Sequence, residues 1–182
     1  SLPRGVAHIN MNLESSYKDV HKAPKGSEEL EQGDDEYTFS YWYVRRNPGE
    51  KYPYPNDQQI EAERKITWNT IFSHLSPEMI NECVQSTLKK RLFELFGRYA
   101  RYYSKREKVN QQKQLLDFSY SEDDFNTVVI QLRALGLIKE NRKQRSVKDN
   151  STYWSLTPYG DEVMTQLRAI RKDKKDELAE DE

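Results

Sequence analysis

Cysteine is almost absent from this chain of 182 residues: Cys83 is the only one. A single thiol excludes an internal disulfide and any zinc site built from several cysteines. No apolar run approaches the roughly 20 residues that a membrane span needs, and Ser1-Leu2-Pro3-Arg4 opens the sequence without an apolar signal region, so a cytoplasmic protein away from membranes is expected. Aliphatic residues are also scarce. Leu, Val, Ile and Phe together make about 21% of the chain, just above the level at which chains usually stay disordered. Twelve Tyr and three Trp compensate, because each aromatic side chain buries a large area. One domain with appendages fits this length.

Charge of one sign is lacking overall but not locally. The chain carries 29 Lys and Arg against 30 Asp and Glu, a net charge of -1. Residues 1–36 have a net charge of -4 and residues 173–182 again -4, which leaves +7 between 37 and 172. A basic body with acidic ends is either kept soluble by its tails or built to meet a polyanion.

From Ser1 to Glu36 apolar residues occur singly, Pro24, Gly26 and Gly33 interrupt, and Glu28–Glu36 contains six acids and no base. This stretch reads as an acidic arm or linker, 1–36, ordered only when docked on a partner. Tyr37, Phe39, Tyr41 and Tyr43 alternate with Thr38, Ser40, Trp42 and Val44, the period of a strand. Asn47-Pro48-Gly49-Glu50 signals a turn, and the prolines of Tyr52-Pro53-Tyr54-Pro55 make an extended loop or edge. With a second short strand at Arg64–Trp68, residues 37–65 are expected to form a β-hairpin annex.

Helices follow. Thr67 or Asn69 can cap a short helix carrying Trp68, Ile71, Phe72 and Leu75. Ser76-Pro77-Glu78 has the features of a helix start, and Ile80, Val84, Leu88, Leu92, Leu95, Phe96, Tyr99 and Tyr103 recur at three- and four-residue steps behind it. The pattern predicts one helix over 77–103, bent or broken at Gly97 in the alternative reading, and long enough to pair with a second copy in a homodimer. Leu115-Leu116-Asp117-Phe118 is strand-like. Ser121 then caps a helix with the stripe Phe125, Val128, Val129, Leu132 and Leu135, which Gly136 stops. Leu137–Glu140 is a strand, Asn141–Asn150 a basic loop, Thr152–Leu156 the returning strand, and Thr157-Pro158 opens a last helix with the face Val163, Met164, Leu167 and Ile170.

Helix, glycine stop, strand, basic loop, strand, helix is the order of a winged helix. Leu132-Arg133-Ala134-Leu135-Gly136-Leu137-Ile138 resembles the end of the recognition helix in bacterial winged-helix regulators, and Trp154-Ser155-Leu156-Thr157-Pro158-Tyr159-Gly160 resembles their second wing strand running into the final helix. The resemblance implies an α+β, mainly α fold: a winged helix-turn-helix over 66–172, with the hairpin annex before it and the acidic tail 173–182 after it. The phrases Ile66-Thr67-Trp68-Asn69, Gln131–Ile138 and Arg145–Trp154 also resemble the C-terminal region of bacterial proteins whose N-terminal half is a TIR-like domain. That likeness implies a module of a larger signalling or defence protein, with the N-terminal domain of the same polypeptide as a partner.

In DNA-binding winged helices the recognition helix enters the major groove and the wing touches the backbone. Asn126, Thr127, Gln131 and Arg133, opposite the apolar stripe, carry side chains that can bond base edges. Arg142, Lys143, Arg145 and Lys148 supply phosphate contacts from the wing. Eight bases between Lys89 and Lys108 are interleaved with Tyr99, Tyr102 and Tyr103. Glu122, Asp123 and Asp124 oppose this, since three carboxylates at the helix start repel phosphate. The expectation is a non-catalytic module binding double-stranded DNA, with a protein-interaction or dimerisation module as the alternative. His8, His21 and His74 are scattered and no phosphate loop, zinc spacing or nucleophile elbow occurs, so neither enzyme, cofactor nor metal is expected.

Overall fold

The computed structural model describes residues 22–50, 57–143, 145, 146 and 148–171. Helices and two three-stranded antiparallel sheets make an α+β fold. The first sheet begins with β1 (Glu36–Arg46), whose alternation buries Phe39, Tyr41 and Tyr43 as the strand period requires. It pairs with β2 (Gln58–Thr67) from Glu36↔Thr67 to Arg45↔Gln58. This second strand starts earlier than its β-branched residues suggest, because every residue from Gln58 finds a partner on β1. Trp68 belongs instead to α1 (Trp68–Leu75), which Thr67 caps by accepting from the Thr70 amide at 3.2 Å. The Tyr52–Pro55 loop lies outside the described residues.

The single helix expected over 77–103 is instead a turn, a short strand and a helix. A 3-10 turn at Ser76–Met79 leads to β3 (Cys83–Val84), and only then does α2 (Gln85–Arg106) begin. The apolar period continues through Val84, but the backbone there has another partner. Cys83 and Val84 pair with β6 (Tyr153–Leu156), and the Gln85 amide donates to the Thr152 carbonyl at 2.8 Å. Ile80, expected on the buried stripe, is exposed. Beyond Gln85 the stripe holds through Leu88, Leu92, Leu95 and Phe96, which are buried, but Tyr99 is half-buried and Tyr103 exposed; α2 passes through Gly97 unbroken.

The annex gains a third strand from far along the chain. β4 (Gln114–Tyr120) joins the free edge of β1, giving the order β2-β1-β4. Its register shifts between Trp42 and Val44, where Asp117 and Phe118 oppose Tyr43. Asp117 has φ 52°, a left-handed conformation that Asp tolerates better than most side chains. This bulge lets Phe118 stack on Tyr43 at 5.4 Å. The aromatic face of the sheet then lies on α2, with Phe39 and Phe96 stacked at 4.0 Å. A buried polar node joins the same surfaces: Asn110 donates to the Tyr43 hydroxyl at 2.8 Å and to the Ser104 carbonyl at 2.9 Å, and the Tyr41 and Ser104 hydroxyls are 2.8 Å apart.

After β4 comes α3 (Glu122–Ala134), capped by Ser121 and buried through Phe125, Val128, Val129 and Leu132. Gly136 ends it at φ 69°, with the Leu137 amide donating to the Leu132 carbonyl at 2.9 Å. The chain leaves in β5 (Ile138–Glu140), returns in β6, and enters α4 (Pro158–Arg168) under the Thr157 cap. The second sheet has the order β3-β6-β5. Of the face expected on α4, Met164 is buried and Val163 half-buried. Leu167 is exposed, and Ile170 lies past the helix end in solvent, because α4 stops at Arg168.

The described part of the stretch read as an acidic arm or linker lies against the body of the fold. The amides of Trp68 and Asn69 donate to the Asp35 and Gly33 carbonyls at 3.1 and 2.7 Å, and Ser27 is buried. Side chains add to these bonds, the Trp68 indole donating to Glu31 at 3.3 Å and the Asn69 amide to Asp34 at 3.0 Å, but the partners are distant in sequence and leave no local signal. Residues 1–21 and 172–182, the rest of the arm and the acidic tail, lie outside the described residues.

Three substitutions test this packing. A Cβ on Gly160 would stand 1.9 Å from the Leu137 carbonyl oxygen, so Gly160→Ala is expected to destabilise by about 3 kcal/mol or more in urea denaturation. At Gly97, in the middle of α2, a Cβ meets nothing within 4 Å, and Gly97→Ala is expected to stabilise by about 0.5–1 kcal/mol. Trp154 is buried in β6 with its indole donating to Gln85 at 3.2 Å. Trp154→Ala should therefore cost about 3–5 kcal/mol by the same measurement.

Candidate nucleic-acid interface

Two flanks of α3 differ because one of them meets the docked segment. Gln131 donates through its amide to the Glu31 carbonyl at 2.6 Å, so its side chain is committed to the N-terminal stretch. Tyr37 donates to Asp124 in a short hydrogen bond and also meets the Thr127 hydroxyl. Burial first, then the bond to Asp124 and its negative charge, push the Tyr37 phenol well above its ordinary range, so it stays a donor. Thr127 and Gln131, expected to reach base edges, are thus engaged with residues 31–37. The sequence stripe identifies the inner face of α3 correctly, but not that a second segment covers part of the outer one.

Asn126, Ile130 and Arg133 stay exposed on the other flank. The Arg133 guanidinium lies 5.6 Å from the centre of the Trp154 ring, which sets this flank beside the loop end of the β5–β6 ladder. Of the acids at the start of α3, Glu122 pairs with Lys89, Asp124 is buried against Tyr37, and Asp123 is exposed. The expected block of three free carboxylates is therefore reduced.

In the loop between β5 and β6, Arg145 bonds Glu82 at 2.8 Å and stacks over the Tyr153 ring at 3.4 Å. Glu82 also accepts from Asn141 at 2.6 Å. These partners hold the Glu82 carboxyl below its usual range, the Arg145 hydrogen bond having the largest effect. Arg145 is consequently a strut between the β5–β6 loop and the turn before β3, not the free phosphate contact that its place in a basic loop suggested. Arg142 is 80% exposed with Glu140 3.3 Å away, and Lys143 and Lys148 are exposed. The residues left open to a ligand are Asn126, Arg133, Arg142, Lys143 and Lys148.

Tertiary structure also gathers cations that are distant in sequence. Arg101 and Lys105 of α2 meet Arg46 of β1 and Lys113 around an open cleft of about 520 Å³. On the opposite flank of α2, Arg98 and the tyrosines 99, 102 and 103 meet His74 and Arg168 around a second cleft of about 560 Å³. The run of bases in α2 is legible as a pattern, whereas Arg46, Lys113 and Arg168 have no local signal. Among the described residues no group of three or more His, Cys, Asp or Glu side chains could hold a metal ion, and no helix is long and apolar enough to cross a membrane.

Burial, with a smaller effect from Glu78, pushes the Cys83 thiol from its ordinary 9.0 up to about 11. The folded protein is expected to resist alkylation at pH 8 and to react once unfolded in urea. Because the folded value is the higher one, this contribution to stability is complete below about pH 9 and lost as pH rises toward 11. Denaturation midpoints measured across that interval should fall less in Cys83→Ala.

Comparison of the chain with protein-family models, with curated proteins and with solved structures gave no match.

Proposed function

We propose that the chain is a non-catalytic winged-helix module that binds nucleic acid through the open flank of α3 and the wing. The order α1, β3, α2, α3, β5, β6, α4 supports this reading, as does the sheet order β3-β6-β5, in which the short strand before α2 pairs with the returning wing strand. The insertion of β4 between α2 and α3 departs from the tight turn of a simple helix-turn-helix. The observation that carries the reading is the contact of Arg133 with Trp154. It brings the open flank of α3 beside the hairpin whose tip bears Arg142, Lys143 and Lys148. A helix with Asn and Arg facing outward can read base edges while cationic loop residues take phosphates.

A second reading rests on Ile130. It is 62% exposed at the centre of the same flank, between Asn126 and Arg133, where an apolar side chain favours a protein surface over phosphate. In that reading the chain is an interaction module of a larger polypeptide or of a homodimer. Phe93, 43% exposed beside Tyr120, is then a further contact on α2, while Phe96 is already covered by Phe39.

Titration with mixed-sequence duplex DNA at low salt separates the two. Binding is expected, and the triple variant Arg142→Ala, Lys143→Ala, Lys148→Ala should weaken it equally for all sequences. The log-log salt dependence should flatten by about 0.9 for each phosphate that no longer meets a cation. Arg145→Ala should lower thermal stability instead. Absence of duplex binding, together with a change in sedimentation on Ile130→Glu, would replace the first reading by the second.

A further inference from the structure

The two halves of α2 treat charge differently. In the first half two of the three bases have acids: Lys89 pairs with Glu122, and Arg91 lies 3.0 Å from Glu78 and 2.9 Å from Glu94, while Lys90 is exposed. Beyond Glu94 the compensation ends. Arg98, Arg101, Lys105 and Arg106 form no ion pair among the described residues, and the next acid, Glu107, is taken by Arg64 at 2.5 Å. On this half large aromatic faces are also left in solvent, with Tyr102 52% and Tyr103 41% exposed.

These rings are held in place. Tyr103 stands edge-on to Tyr102 at 5.1 Å and tilted to Tyr99 at 6.2 Å. Arg106 lies 4.2 Å from the centre of the Tyr102 ring, and Arg64 5.6 Å from that of Tyr103. Beside them opens the cleft of about 560 Å³, and among the described residues no acidic side chain lines it. The basic groups at its wall are fixed without being neutralised. Arg98 donates to His74 Nδ1 at 3.2 Å, and His74 donates in turn through Nε2 to the Arg91 carbonyl at 3.1 Å. Burial, then Arg91 and Arg98, hold the His74 proton affinity below its usual value, consistent with a neutral ring accepting from Arg98. Arg168 donates to the Ser73 carbonyl at 2.8 Å. A guanidinium has five donors, so each keeps others for an anion.

We propose that the C-terminal half of α2 is a binding site for single-stranded nucleic acid, separate from α3 and the wing, with Tyr102 and Tyr103 stacking bases and Arg98, Arg106 and Arg168 taking phosphates. Exposed aromatic faces alternating with unpaired cations match a ligand that alternates flat bases with negative charges. A duplex keeps its base faces stacked internally and would leave the tyrosines unused. An acidic peptide would satisfy the arginines but has no recurring ring to lie on the tyrosines. The α2 backbone is preset for this, since Ser104 and Asn110 lock the same turns to the sheet.

Fluorescence anisotropy of a labelled, mixed-sequence DNA single strand of about 12 nucleotides tests the site. Tyr102→Ala and Tyr103→Ala are each expected to weaken binding roughly 5-fold or more, and Tyr102→Phe to retain it. Arg98→Ala should weaken binding and flatten the log-log salt dependence by about 0.7. The triple wing variant should lose duplex affinity in larger proportion than single-strand affinity, and the tyrosine variants the reverse, so damage to the two sites is told apart. Thermal melts verify that each variant is folded. Single-strand affinity unchanged by both tyrosine variants, or equal competition by polyglutamate, would overturn the proposal.

Discussion

The aromatic face of β1 against α2 sets the positions of everything else in this protein. Phe39 stacks on Phe96 in the middle of the helix, and Tyr41 and Tyr43 carry the packing to its end, where their hydroxyls meet Ser104 and Asn110. Few aliphatic side chains are available, so flat rings with polar tips supply both the buried area and the directional bonds. Fixing α2 along this line lets its N-terminal end hold the second sheet through β3 and Gln85, while its C-terminal end stands over two clefts.

Electrostatics then sorts the surface. Acids close to bases are used for architecture: Glu82 ties Arg145 of the β5–β6 loop to the turn before β3, Glu122 ties Lys89 of α2 to α3, and Glu107 ties Arg64 of β2 to the end of α2. Such half-exposed pairs add little stability each, but they decide which cations are withdrawn from ligands. Among the bases that remain, one group lies in the loop between β5 and β6 and another along the last turns of α2. The net positive body noted in the sequence is thus divided into two separate basic surfaces, and the helix that resembles a recognition helix is the less basic of its own neighbourhood.

Much of the local structure is legible in the sequence because it is set by residue type at short range. The strand period of Phe39, Tyr41 and Tyr43, the Ser121 and Thr157 caps, and the Gly136 stop each depend on steric or hydrogen-bonding properties within a few residues. The start of α2 is not legible, for the opposite reason. Ile80 and Val84 fit a helical period by coincidence, and the pairing of Cys83 and Val84 with residues some seventy positions later overrides it. Likewise, β4 joins the first sheet because β1 has an open edge, which no local pattern in Leu115–Phe118 specifies.

The sequence by itself determined which faces are apolar, where helices are capped and that a basic body lies between acidic ends, since these follow from composition and from interactions between near neighbours. Only the tertiary structure decided which of the candidate site residues are free. Gln131 and Arg145 look as available in the sequence as Arg133 and Lys143. They are spent because Glu31 and Glu82, distant along the chain, are brought within hydrogen-bonding reach. The same long-range folding set Arg98 and Arg168 beside one row of tyrosines. Long-range contacts of this kind depend on the whole packing arrangement, which no short window of residues encodes.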